Sequence, residues 1–294
     1  MPLLSPKTLA SVKDLRLVAK TVVDGVLLGA HQSRRSGAGM EFSEHRPYQL
    51  GDDARRVDWK LAARSDKFFV RESEAETSVA VRIMLDASAS MASEEDGVSK
   101  FDCARWLAAA IGYLAYQQGD AIGLCAMRNE SAFRLPARRD KAQLNLFFNA
   151  LETLAPQGKW ADWSKLRSAL CASNRRELVV FISDMHERAD EILSTIRAFA
   201  NLKNDVVAFH LVGKKELNFD YEGDMSFEDL ETGEIIETNA EDAREAYKRN
   251  LSDRLKTLEN AMLSERIAYQ RIVIQEPIDE ALRQFLLRRN RLPR

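Results

Sequence analysis

The sequence predicts an α/β protein built on a doubly wound, mostly parallel sheet. Val79–Leu85 is an aliphatic run broken only by Arg82, which suits a strand covered on both faces. Leu178–Ser183 has the same character, and both runs end on an aspartate, Asp86 and Asp184. Between and after them, apolar residues recur at helical spacing. Strands alternating with helices are what right-handed crossovers of a parallel sheet require.

Composition bounds the function. With 294 residues, 45% of them hydrophobic, the chain can bury a sizeable core. Lys plus Arg at 43 against Asp plus Glu at 45 leaves a net charge of −2, so nucleic acid is not the expected partner. Cys103, Cys125 and Cys171 are odd in number and lie in apolar stretches, as buried, reduced thiols do. The start does not read as a signal peptide, and Val26–Ala30 is far too short to cross a bilayer. A soluble, cytoplasmic protein with no integral membrane segment is expected.

In chain order, Leu9, Val12, Leu15, Leu17, Val18, Val22, Val23, Val26 and Leu27 predict one or two amphipathic helices packed on the body. The glycine-containing segment 31–40 lacks the strand–helix setting of a phosphate loop and reads as a surface loop. Residues 41–74 alternate charges of both signs with aromatics and follow neither period. They predict a compact, mostly extended subdomain. Asp52, Asp53 and Asp58 are expected to pair with Arg46, Arg55, Arg56 or Arg64, with Tyr48 and Trp59 as packing anchors. Paired charges at a protein–protein surface would look the same. The expected division is therefore 1–78, an N-terminal helix plus this subdomain, and 79–294, the α/β domain.

Within that domain a helix spans Phe101–Ala115 and is closed by Gly119. Ala121–Ala126 is a strand with Ala132–Leu135 as a hairpin partner, and Asp140 with Gln143 resembles a capping box opening a helix. A helix is expected over Ser164–Ala172, another at Ile192–Ala200, and a strand at Val206–Val212. From 216 to 245 the charge shifts to twelve acidic residues against one basic, Arg244. This insertion holds a small hairpin turning at Thr232 and Gly233. Thr238 with Glu241 is expected to cap a long helix to about Ser264, with Ala243, Tyr247, Leu251, Leu255, Leu258 and Met262 inward. A sixth strand at Tyr269–Ile274 and a last helix after Pro277 complete the chain. The four histidines show no ligand spacing, and His186 reads as a surface imidazole.

The chemistry concentrates where the first strand ends, at Asp86, Ser88 and Ser90. One carboxylate and two hydroxyls alternate along a turn of small residues at the carboxyl edge of the sheet, where open α/β sheets place ligands. Hard divalent cations take oxygen ligands of this kind. The competing reading has Ser88 and Ser90 capping the next helix and Asp86 making an Asx-turn. Asp184 arrives at the same edge from a second strand.

A longer pattern surrounds this edge. Gly37, Gly39, Glu41, Phe42, Arg46, Tyr48, Gly51, Asp52, Asp53, Arg55, Asp58, Trp59, Ala63, Arg64, Val70 and Arg71 precede Asp86, Ser88, Ser90 and Met91 in order. Together they resemble the bacterial family catalogued as domain of unknown function 58. The resemblance implies a von Willebrand factor A-like domain, no catalytic activity, and association with a MoxR-type AAA+ ATPase. It also implies a metal-ion-dependent adhesion-like site in which serines and a threonine bind Mg²⁺ (or Mn²⁺ as substitute) and aspartates act through water. Here the threonine position holds Ala161, so the site is degenerate and weak binding is expected.

Three functions compete. The leading one is a non-enzymatic protein-binding module, an adaptor or co-chaperone using Asp86, Ser88, Ser90 and Asp184 around one cation, with Arg46, Tyr48, Asp52, Asp53, Arg55, Asp58, Trp59 and Arg64 as a second binding surface. A metal-free scaffold working through the first 75 residues is the alternative. A metal-dependent hydrolase is disfavoured, because an Asp86 nucleophile would want a general acid two residues on and Ser88 stands there. No G-x-S-x-G or H-E-x-x-H motif occurs.

Overall fold

The apolar stripe at the start folds as two helices, α1 (Pro6–Ser11) and α2 (Leu15–Arg34). Ser5 caps α1, its hydroxyl accepting from the Thr8 N–H at 3.3 Å. Leu9, Leu15, Val18, Ala19, Val22, Val23 and Val26 are all buried in the main core. The computed structural model describes residues 5–12, 14–34, 45–47, 68–71, 79–128, 131–160, 176–186 and 190–289. These fall into two units, residues 1–29 with 79–294, and residues 30–78. The N-terminal helix thus belongs with the large unit rather than with the segment that follows it, because its apolar face is part of that core. In the smaller unit the described residues form one antiparallel pair, β1 (His45–Pro47) with β2 (Phe69–Arg71), which sets Arg46 opposite Val70.

The larger unit is organised by β3 (Ala80–Asp86), whose Ile83, Met84 and Leu85 have no exposed surface. A 3-10 turn (Ala89–Ala92) and a short hairpin, β4 (Glu94–Glu95) with β5 (Val98–Ser99), lead into α3 (Lys100–Gln117). Ser99 and Asp102 cap α3 reciprocally. Gly119, at φ +80°, turns the chain into β6 (Ala121–Arg128). β7 (Ser131–Arg138) returns antiparallel, α4 (Lys141–Thr153) follows, and β8 (Glu177–Ser183) pairs parallel on the other side of β3. Then come α5 (Glu191–Asn201), β9 (Asp205–Val212) and the short α6 (Lys214–Asn218). β10 (Asp224–Glu228), β11 (Ile235–Asn239) and α7 (Ala240–Ser264) precede β12 (Ala268–Val273) and α8 (Ile278–Arg289).

The six-stranded sheet runs β12-β9-β8-β3-β6-β7, parallel except for the edge strand β7. This is the doubly wound, mostly parallel arrangement expected from the sequence. Alternate residues of β3 serve opposite layers, as the strand period of two dictates. Ile83 and Leu85 join the core shared with α2, α3, α4 and α8, while Met84 joins the one beneath α5 and α7. Arg82, the one charge in β3, is buried because Glu177 at the start of β8 holds its guanidinium from two atoms, at 2.8 and 2.9 Å.

Several local expectations change. Asp140 does cap α4, but Gln143 does not reach back to complete a capping box. Its side chain is buried and donates to the carbonyls of Ile122 and Pro136, at 2.8 and 2.7 Å, clamping the bulged β6–β7 pair. Asn239, not Thr238, caps α7. Of the residues expected inward on α7 only Leu258 and Met262 are buried, since a helix of 25 residues outruns the sheet it packs on. The helix expected over 164–172 lies outside the described residues.

Cys103 and Cys125 are free and buried, and burial pushes each thiol up to about 12. Neither should react with a disulfide reagent at pH 8 in the native state, and both should react on unfolding. Rapid labelling of either under native conditions would contradict this packing.

Candidate functional site

β3 and β8 are adjacent parallel strands from which the chain departs in opposite directions, so their carboxyl ends flank a topological switch point. Asp86 ends one and Asp184 follows the other, as expected from the sequence. Asp86 has no exposed surface and both its oxygens are engaged. The Ser88 N–H donates to Oδ1 at 2.9 Å, and the Ser183 hydroxyl donates to Oδ2 at 2.6 Å. The Asx-turn is therefore present. The serine caps are not: Ser88 makes no side-chain cap to the following turn, and its Oγ instead lies 3.0 Å from Ser90 Oγ. Ser90 in turn donates to Asp184 Oδ1 at 3.3 Å.

Backbone bonds hold this loop in place. Ala87 N–H donates to Met127 O, Gln157 N–H to Ala87 O and Ala89 N–H to Gly158 O. On the other strand, Met185 sits at φ +52°, a left-handed turn that a residue with a Cβ adopts only under constraint. Its N–H donates to Ser183 Oγ at 2.8 Å and its carbonyl accepts from Arg254 at 2.7 Å.

The structure adds a cation that motif reading passed over. Lys100, the first residue of α3, is buried and reaches Asp184 Oδ2 at 3.3 Å and Glu216 Oε2 at 2.9 Å. Burial opposes its charge, yet the two carboxylates hold its ammonium above the ordinary lysine value. Burial likewise opposes the charge on Asp184, but Lys100 and the His186 N–H keep that carboxyl below its ordinary range. Asp86 moves the other way: burial and the nearby Asp184 charge push it up to about 7 against the bonds from Ser183 and Ser88. One ammonium thus selects which aspartate carries the charge.

Ser183 and Glu216 were also missed. Ser183 had a signal, since it directly precedes Asp184, whereas Glu216 is brought in by α6 from a distant part of the chain. His186 is exposed, as expected. His210 is buried with its Nδ1 2.6 Å from the Tyr269 hydroxyl, and burial pushes it down to about 4. Of the second expected surface, Arg46 lies in β1, while Tyr48, Asp52, Asp53, Arg55, Asp58, Trp59 and Arg64 lie outside the described residues, as does Ala161.

The donor chemistry suits a hard cation. Ser88 Oγ, Ser90 Oγ and Asp184 Oδ1 follow one another within 3.3 Å, presenting three oxygens on one edge. Among the described residues no three His, Cys, Asp or Glu side chains converge closely enough to hold a metal, so hydroxyls would have to serve.

Residues 44–257 match the family model described as Protein of unknown function DUF58. The chain belongs to this family. It is 31% identical over 241 residues to Uncharacterized protein Mb1516 of Mycobacterium bovis and equally to Uncharacterized protein Rv1480 of Mycobacterium tuberculosis, covering 81% of this chain and 75% of each relative. Among solved structures, BatB from Bacteroides thetaiotaomicron is similar at 19% identity and TM-score 0.47, over 73% of this chain and 100% of that one. The SpRpn10 VWA domain is similar at 14% identity and TM-score 0.40, over 70% and 94%. The family resemblance carried by residues 37–91 is thereby borne out. Among the described residues of this DUF58 chain, no helix is long and apolar enough to cross a membrane.

Proposed function

We propose that the chain is a non-enzymatic protein-binding module whose acid edge takes one divalent cation, Mg²⁺ or Mn²⁺ in its place. The observation that carries this is the convergence of Ser88 Oγ, Ser90 Oγ and Asp184 Oδ1 at the switch point of the sheet. A Mg²⁺ ion held there would supply a positive charge with a coordination position open to an acidic side chain of a partner. Asp86 and Ser183 stand behind these ligands and orient the loop. The finer role, an adaptor or co-chaperone serving a MoxR-type AAA+ ATPase and a client protein in the cytoplasm, rests on the family resemblance. Full burial of Asp86, with both oxygens bonded, argues against its use as a hydrolytic nucleophile.

A second reading is favoured by Lys100. Its ammonium already answers the charge of Asp184, so the edge serves equally as a metal-free structural knot. Residues 30–78 would then be the working surface. Calorimetry decides between the two. Mg²⁺ should bind the native protein with a dissociation constant on the order of millimolar, as sparse sites do. Binding should disappear in Ser88→Ala with Ser90→Ala and strengthen in Ala161→Thr. No binding heat in the native protein and none in Ala161→Thr would sink the metal reading. Co-purification with a co-expressed MoxR-type ATPase tests the adaptor role separately.

A further inference from the structure

The acidic insertion has a structural feature that the acid edge does not use. β10 and β11 form a two-stranded ribbon that pairs with no other described strand. An isolated ribbon is marginal alone, and this one is anchored by aromatics. Phe227 lies 5.2 Å from Tyr221 and 6.0 Å from Phe219, which is 4.5 Å from Tyr247 of α7. Leu230, Ile235 and Ile236 are nevertheless 45%, 59% and 60% exposed, although Ile236 stands opposite Phe227. Ile235 is paired with Glu228 and Ile236 with Phe227, so the two isoleucines occupy opposite faces of an open-edged strand.

Charge surrounds these aliphatic groups. Glu228, Glu231, Glu234 and Glu237 flank them within a stretch of twelve acidic residues and one basic. Edge strands are ordinarily kept from pairing by charge, yet here large aliphatic side chains remain exposed between the charges.

We propose that this ribbon is a docking strip for a protein segment in which aliphatic residues alternate with lysine or arginine. An extended segment pairs along the free edge of β11 with its aliphatic side chains on the face of Ile236 and Phe227 and its cations on the opposite face, beside Glu228 and Glu237. A second copy of this chain would set two acidic strips against each other, and an anionic lipid surface is repelled for the same reason. The proposal does not depend on a metal at the acid edge.

The test is fluorescence anisotropy with the full chain and a labelled Lys-Val-Lys-Ile-Lys-Val peptide, in buffer containing EDTA so that the metal reading is not involved. Two control peptides replace the lysines with glutamate or the aliphatic residues with serine. The basic aliphatic peptide should bind at least about tenfold tighter than either control. Affinity should fall about tenfold in Ile235→Ser with Ile236→Ser, whose circular dichroism should match the parent because both positions are exposed. It should fall further with salt and in Glu237→Gln, an exposed position of β11. Equal binding of the serine peptide, no loss in the double variant, no binding of any peptide, or sedimentation showing a dimer built through the ribbon would each overturn the proposal.

Discussion

Replacing Lys100 with methionine is expected to destabilise the fold by about 3–5 kcal/mol, the range for removing one partner of a buried ion pair. The side chain is 8% exposed and bonded to Asp184 and Glu216, so its loss leaves at least one buried carboxylate without a cation. Methionine keeps most of the aliphatic volume, which confines the effect to charge. Chemical denaturation should show a lower midpoint at an unchanged slope. Adding Asp184→Asn to Lys100→Met should recover part of the loss, because the stranded charge is then absent. A change below about 1 kcal/mol, as exposed pairs give, would mean that Lys100 is not the counter-ion of this edge.

Phe147→Ala is expected to cost about 3–5 kcal/mol, as emptying a buried aromatic site does. Phe147 has no exposed surface, lies 6.0 Å from Phe148 edge-on, and packs against Gly112 of α3. A Cβ placed on Gly112 would meet the Phe147 ring at 2.5 Å, so the two helices approach closely only because that position is glycine. Gly112→Ala alone should therefore destabilise by about 1–3 kcal/mol through overpacking. The double variant should cost less than the sum, since the cavity accommodates the added methyl. Strict additivity would show that the two residues do not share a contact.

Much of this architecture was legible because it depends on local pattern. β3 and β8 announce themselves as aliphatic runs, and the period of three to four in residues 8–30 yields a helix whose apolar face is buried. Asp86 and Asp184 were placed at one edge by topology alone. Caps proved less legible. Thr238 with Glu241 has the right spacing, yet the chain starts α7 one residue later, on Asn239, where the β11 ladder ends. Gln143 has the sequence position of a capping residue, but the β6–β7 bulge offers its side chain two carbonyls in the interior.

Fold class, the organising strand, the family, and the acid and hydroxyl residues at the switch point follow from the order of amino acids, because each is a matter of periodicity, chain order or short spacing. How those groups are charged depends on the folded arrangement. Lys100 is 84 residues from Asp184 and 116 from Glu216 along the chain, yet in space it lies 3.3 Å from Asp184 and 2.9 Å from Glu216. Burial and mutual distance set the energies of ionised groups, and neither is written in the order of residues.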